Sequence, residues 1–470
     1  MVEIKDATIC ISGYECGPGV SKVIFSLSRS VEGVKKEGAL ISTANADRTI
    51  IDIYLSDSKG NQVTGNSTYV TISIGLVYFL EANCSLLIFN FSKFHNEWAT
   101  EYVIKSSFHV ICDGKDTLLT FEKDCMNNRY SPDGELFNKR GEFSGRYHNP
   151  ITKEEDLLTL QYAAYEPDHL KNDNAKNPLI IWIHGQGEGG TDVDIAILGN
   201  KVTSLAKPQI QSYFTTESGS KGAYVLAIQC PTYWMDGGDG QNSNGDLVSR
   251  FTDILKDTID DYLKQNEDAD KNRIYIGGCS NGGYMSMNLA ITYPNFFAAT
   301  YQACEAYAYM VFQRDEKGVY IREPDNKSPT AVRQTDTRWF TDEKMELVKE
   351  LPMWLIAAAD DDTVLPHLFS LPAYKQLLKI GAKNAWFSFF RNVEGDDIKG
   401  MRYNGHWSWI PLFNDKVTRV QNPEKIVNSD DNAKFGFVPN NDGGGTLNAH
   451  DDKGTYNSIF AWLNAQVKKQ

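Results

Sequence analysis

Ser280 stands in Gly278-Cys279-Ser280-Asn281-Gly282, a G-x-S-x-G run. This spacing suits nucleophilic acyl transfer. The glycines permit a sharp turn that bares the serine hydroxyl, and they let flanking backbone approach without a Cβ. The five letters alone are a weak signal, but their setting makes them a strong one. RIYIGGC (273–279) ahead of Ser280 reads as a buried strand, and NGGYMSMNLAITYP (281–294) after it reads as a helix. A nucleophilic serine needs a base, and the base needs an acid to orient it. His367, His406 and His450 follow at useful distances. His406, in YNGHWSWIPLF beyond the last apolar strand, is the best placed. His367 follows directly on an aspartate cluster, and His450 lies in the polar loop NAHDDKG. The acid should close the apolar run PMWLIAAAD. Asp360, Asp361 and Asp362 stand there in succession, and composition does not choose among them.

The chemistry also requires donors for an oxyanion. IIWIHGQGEGGTD ends a strand in a glycine-rich turn that bares backbone N–H groups, and the residue after the nucleophile, Asn281, supplies the second donor. A phosphate loop would need a Lys-Ser/Thr pair after the glycines, which is missing. His184 is expected to brace this turn rather than to catalyse. Trp234, Glu305, Trp407 and Trp409 lie near strand ends or beside the candidate triad. They are candidates to line an acyl or alcohol pocket, although ordinary packing claims such residues at least as often. Of these, Glu305 in ACEAY is the least comfortable as a core residue. MDGGDGQNSNGD (235–246) hints at a calcium loop, but Gly240 would take the first ligand position and Phe251 the twelfth, so the register fails. No metal site and no cofactor is expected.

The elements that must carry these groups change character along the chain. Up to about residue 125 the pattern is all-β: VIFSLS, TIIDIYL, YVTISIGL, SLLIFNF and EYVIKSSFHVI, separated by turn residues. In YVTISIGL, Val70, Ile72 and Ile74 alternate with polar or aromatic neighbours, the period of a half-buried strand. Strands at this spacing suit a β-sandwich. A polar, irregular stretch over 124–150 marks a boundary. Beyond it, near-continuous apolar runs such as PLIIWIHG, AYVLAIQCP and AWFSFFRN alternate with helical patterns. That is the signature of a mostly parallel sheet flanked by helices, with ligand sites at the strands' C-terminal ends.

The bulk properties narrow the function classes. The 470 residues are enough for two or three domains, and 41% hydrophobic with 23% charged is ordinary for a globular chain. A net charge of −14 argues against a nucleic-acid partner. No apolar stretch is long enough for a membrane helix, and the first residues do not read as a signal peptide. The protein is therefore expected in the cytoplasm, or outside the cell after removal of a leader. The eight cysteines form no CxxC pair and are expected mainly as buried thiols, with Cys10/Cys16 and Cys112/Cys125 as the pairs a secreted protein could bridge.

With IHGQGEGGTD, AIQCPTYW, IGGCSNGGYMSM, AAADDDTVLP and NGHWSW in place, the chain resembles bacterial esterases that join an N-terminal immunoglobulin-like domain to an α/β-hydrolase domain. The catalytic half looks like polyhydroxybutyrate depolymerases, feruloyl esterases and related carboxylesterases. GYECGPGVSKVIFSLSRSV resembles the opening of the immunoglobulin-like domain. The resemblance implies an immunoglobulin-like sandwich over 1–125 and an α/β hydrolase over 126–470, with excursions at 308–350 and 414–455, the latter a candidate cover for the cleft. The family acid precedes an x-V-x-P segment, here Thr363-Val364-Leu365-Pro366, so the resemblance selects Asp362. It also implies Ser280 and His406 as its partners and the Gln186 and Asn281 amides as oxyanion donors. The chain departs from the family at Ala358-Ala359, where His-Gly or His-Ala often precedes the acid.

The expected activity is hydrolysis of carboxylic esters through an acyl-enzyme, on plant-polysaccharide-linked or polyester-type substrates. A prolyl-oligopeptidase-like peptidase is the first alternative. It usually carries a repeat-built propeller, for which the N-terminal region is too short. A non-catalytic binding protein on a hydrolase scaffold is the second. The N-terminal domain could serve a polymer, homo-oligomer formation or shielding of the site.

Overall fold

A computed structural model describes residues 1–468 except 217, 242, 325, 327 and 431–434. The C-terminal part of the chain is built on an eight-stranded sheet. In chain order its strands are β1 (Lys139–His148), β2 (Glu155–Tyr165), β3 (Asn177–Ile183), β4 (Tyr224–Gln229), β5 (Ala269–Cys279), β6 (Ala299–Ala303), β7 (Met353–Ala358) and β8 (Ala385–Phe390). Their spatial order is β1-β2-β4-β3-β5-β6-β7-β8. β1 pairs antiparallel to β2, and β2 to β4. Every later pairing is parallel. The expected mostly parallel sheet is therefore present.

The apolar runs follow from burial on both faces. In β3 every residue is buried. Ile180 and Trp182 point into one core, while Leu179, Ile181 and Ile183 point into the other. Helices α1 (Thr252–Gln265), α2 (Asn281–Thr292) and α3 (Ser370–Lys379) fill the second core. The first core holds α4 (Ile459–Ala465) and continues without a break into the N-terminal domain.

The N-terminal domain is all-β, with a five-stranded and a four-stranded sheet. Phe25 of one sheet meets Phe108 and Phe121 of the other at ring-centroid distances of 5.1 and 5.5 Å. Arg129–Tyr130 pairs in parallel with the first strand of the five-stranded sheet, so the domain runs past residue 125. All eight cysteines are free thiols, and all but Cys16 are buried.

The two excursions play different parts. Residues 308–350 form a small sheet and a helix at the C-terminal side of β6 and β7. There Ser328 and Thr330 donate to the Thr363 carbonyl. Within 414–455, residues 440–444 lie along the free edge of β8: the Phe389 amide donates to Gly444 O at 2.7 Å, and the Asn440 amide to Phe389 O at 2.8 Å. This segment covers a sheet edge, which would otherwise expose unpaired backbone groups.

Glu15 ties the two domains together. It sits at a tight turn of the N-terminal domain and is buried. Its carboxylate accepts the Asp396 and Asp397 amides at 2.7 and 3.2 Å and the Asn414 side chain. Its own amide donates to Asp397 Oδ2, which also holds Lys201 through Oδ1 at 2.8 Å. Removing the carboxylate takes the acceptor from part-buried N–H groups, which costs up to about 1–3 kcal/mol per group. Glu15→Ala is expected to lower the thermal midpoint by about 5 °C or more and to speed limited proteolysis between the domains. Calorimetry and timed digestion check this.

Candidate active site

Four strand ends deliver the candidate groups to one edge of the sheet. β5 ends at Cys279, and α2 begins at Asn281, so Ser280 alone makes the turn between them. Its backbone sits at φ 54° and ψ −117°, a strained conformation for a residue with a side chain. Two close packings require it. A Cβ on Gly278 would lie 2.5 Å from Ile183 O, and a Cβ on Gly282 would lie 2.0 Å from the same oxygen. The helix is thereby drawn onto the end of β3 and the serine is thrust upward. The Ser280 amide donates to Ala303 O at 3.0 Å. The side chain is partly exposed.

His406 follows β8 through a short hairpin and lies in a single turn of 3₁₀-helix, Gly405–Trp407. Asn404 caps that turn by accepting the His406 amide at 2.8 Å. Nδ1 of His406 faces Asp361, with Oδ2 at 3.0 Å and Oδ1 at 3.2 Å. This differs from the expectation: the aspartate set against His406 is Asp361 and not Asp362. The chain turns just past β7, where the Asp361 amide donates to Ala358 O. That turn points the Asp361 carboxylate inward. There it also accepts the Thr363 and Val364 amides, both at 2.9 Å. Asp362 points outward to solvent and accepts the Asn404 side chain at 3.0 Å, while Asp360 pairs with Arg402 at 2.7 Å. Burial alone would lower the His406 pKa. The Asp361 carboxylate outweighs it, with a further contribution from Cys304, and holds the pKa well above 6.5.

Cys304 follows Ala303, whose carbonyl holds the Ser280 amide, and its thiol is near enough to His406 to help raise the pKa of the ring. His367 and His450, the other two histidines weighed, stand elsewhere. His367 is exposed, and His450 packs on Trp386 at 5.0 Å.

The glycine-rich turn after β3 forms a short 3₁₀ segment, Gln186–Glu188. Among the described residues no acceptor is found for the Gln186 or Asn281 amide, so both are free to donate to a ligand. His184 anchors the turn: Nε2 accepts the Cys230 amide at 3.2 Å, and Nδ1 donates to Gly185 O. Full burial pushes its pKa down to about 4, so the ring stays neutral.

The residues proposed as pocket lining fare differently. Trp234 is fully buried, with its ring 5.1 Å from His184, and its amide donates to the Asn281 side chain. It supports the site from below and lines no pocket. Trp409 is also buried, set edge-on to His406 at 6.0 Å, and Trp407 stacks on it at 5.9 Å. Together they wedge the His406 turn. Glu305 is buried at the end of β6, accepts the Tyr307 amide at 2.7 Å and is pushed up to about 8 by burial.

Glu188 went unnoticed in the sequence. Its carboxyl lies under the turn, with Oε2 3.1 Å from where a Gly185 side chain would begin. Burial raises its pKa to about 7, while the Glu188 and Gly185 amides, Asn200 and the charge of His406 act in the opposite sense. Nothing in the pattern HGQGEGG distinguished an inward acid from a solvated one. Among the described residues no cluster of His, Cys, Asp and Glu could hold a metal ion.

Residues 234–390 match the model of the prolyl oligopeptidase family. The match includes Ser280 and Asp361 but neither His406 nor the oxyanion turn. No curated protein matches the chain in sequence. Among solved structures, a thermostable esterase is 21% identical, covers 87% of this chain and 96% of its own, and superposes with a TM-score of 0.60. That likeness is one of fold, and the fold is that of the α/β hydrolases. A ferulic acid esterase (13% identical, covering 59% and 95%, TM-score 0.38) is more distant. So is the Pyrococcus horikoshii acylaminoacyl peptidase (16% identical, covering 87% and 54%, TM-score 0.35).

The two aspartates separate experimentally. Asp361→Asn is expected to lower kcat by about 10³-fold or more, and Asp362→Asn to change it by less than about threefold, since an exposed carboxylate contributes little. In the wild type kcat/KM should rise with pH through the elevated His406 pKa, because only the neutral ring accepts a proton. Any residual activity of Asp361→Asn should rise at lower pH, because the group that raised that pKa is gone. Steady-state pH profiles of the three proteins check both statements.

Proposed function

We propose that the protein is a serine hydrolase that cleaves carboxylic esters. The observation that carries this reading is the strained Ser280 turn at the same end of the sheet as a buried His406–Asp361 pair. In the proposed reaction, Nε2 of His406 removes the Ser280 proton as Oγ attacks the ester carbonyl. Asp361 holds Nδ1–H and stabilises the imidazolium that forms. The Gln186 and Asn281 amides receive the developing oxyanion, where each donor contributes about 3–4 kcal/mol to the transition state. The imidazolium then protonates the leaving alcohol, and water cleaves the acyl-enzyme by the same path. This chemistry needs only groups the chain supplies.

The finer reading is a carboxylesterase carrying an immunoglobulin-like sandwich, with polymer-linked or polyester-type esters as the substrate class. The two facing N-terminal sheets and the whole-chain likeness to an esterase support it. A peptidase reading has one observation in its favour, the match of residues 234–390 to the prolyl oligopeptidase family.

Ser280→Ala is expected to lower hydrolysis of p-nitrophenyl acetate by at least about 10³-fold and to abolish labelling by a fluorophosphonate. Wild-type rates in the variant would defeat the proposal. A parallel panel of peptidyl anilides should be turned over much more slowly than the esters, and the reverse order would favour the peptidase reading.

A further inference from the structure

The N-terminal domain sends one hairpin out of its two sheets. It lies in the connection between the strands Ser67–Ile74 and Val103–Cys112, and its arms, Leu87–Asn90 and His95–Trp98, form a sheet of their own. Of the 23 phenylalanines in the chain, the exposed ones among the described residues are all here: Phe89, Phe91 and Phe94, at 37%, 80% and 44%. Ile88 beside them is 57% exposed. A patch of aromatic surface on one projecting element marks a binding site more often than scattered apolar residues do.

The tip is held in shape. Asn90 Oδ1 accepts the Ser92 and Lys93 amides, and its side-chain nitrogen donates to Glu97 at 2.9 Å. Phe94 is fixed at φ 59°, a conformation a bulky residue seldom takes. Phe89 and Phe91 meet edge to face at 5.1 Å. The rings are therefore presented by a defined turn.

The hairpin rests on the turn that carries the Gln186 amide. Asn96 Nδ2 lies 2.9 Å from where a Gly187 side chain would begin, and the His95 ring lies 3.5 Å from the same point on Gly190. Farther down, Trp98 donates to Asp192 at 2.7 Å under the Arg129 guanidinium. The arm that leaves the aromatic tip is thus in contact with the glycine-rich turn at the rim of the candidate site. Its charged residues, Lys93 and Glu97, pair with each other at 2.6 Å. The tip is consequently uncharged in a chain of net charge −14, which favours a neutral apolar group over an ionic one.

We propose that the 88–94 tip is a substrate-binding rim that takes the apolar acyl or alcohol substituent of an ester held at Ser280. This rests on the hydrolase reading above. The rings would cover the substituent on the side of the oxyanion turn, so the N-terminal domain would set chain-length preference without touching the reacting atoms.

The test is the full-length double variant Phe89→Ser/Phe91→Ser, compared with wild type and Ser280→Ala. Two series are used: p-nitrophenyl esters from acetate to octanoate, and acetate esters from methyl to hexyl. Neither ring enters either core, so folding should be unchanged, as melting would show. The expected result is a loss of about tenfold in kcat/KM, carried by KM, for the long members of either series, with the shortest members altered by less than about twofold. An equal loss at all lengths, or no loss, would overturn the proposal. So would unchanged selectivity together with a drop in oligomer mass by light scattering, which would assign the tip to a second copy of the chain. Ester turnover that survives Ser280→Ala would instead remove the hydrolase reading beneath it.

Discussion

The contact between the end of β3 and the start of α2 is the constraint on which the site depends. Gly278 and Gly282 both close on Ile183 O at distances that leave no room for a Cβ. With helix and strand so near, the single residue between them must take a left-handed backbone, and Ser280 does. Such a conformation costs of order 1–3 kcal/mol and persists only where its surroundings over-determine it. Here the surroundings are β5 and β3 paired through Gly278 and Ile183, and the Ser280 amide bonded to the end of β6. The same packing brings the Asn281 amide and the turn holding Gln186 to one edge.

Electrostatics at that edge are organised by burial. Three buried carboxyl groups stand near the sheet's end, and their surroundings separate them. Asp361 accepts two amides and faces a ring nitrogen, so a buried charge there is compensated. Among the described residues Glu188 and Glu305 have no cation at hydrogen-bond distance, and burial raises their pKa values to about 7 and about 8. Near neutral pH, Glu305 is therefore largely protonated and Glu188 divided between its two forms. A full carboxylate charge under the oxyanion turn would oppose the negative charge that develops above it, so the partial neutrality of Glu188 fits the turn's proposed task. His184 contributes a neutral ring to the same turn for the same reason.

What could be read from the sequence was whatever follows from local pattern and chain order. Near-continuous apolar runs announced strands buried on both faces, and the strand–serine–helix succession marked Ser280. The position of His406 followed from its place after the last such strand. The acid did not follow. Which of three adjacent aspartates turns inward is decided by the Ala358 carbonyl and by the Thr363 and Val364 amides, and no side-chain pattern encodes those. Trp234 misled because a strand end predicts nearness to the site but not the direction of a side chain. Its ring went under His184 and its amide to Asn281.

The hairpin shows a further limit. SLLIFNF reads locally as one more strand of a sandwich, yet the apolar side chains of this segment and the turn after it do not all enter the core. Leu86 is buried, while Phe89, Phe91 and Phe94 face solvent. The difference lies in contacts made far along the chain, between Asn96 and Gly187 and between Trp98 and Asp192. Those contacts carry the segment out of the sandwich and seat it on the catalytic half. Glu15, buried against residues 395–397, does the same at a second point. The two domains share a continuous core and are joined at both places. The glycine-rich turn at the end of β3 is therefore backed by an element of the other domain, a contact that neither domain's own pattern contains.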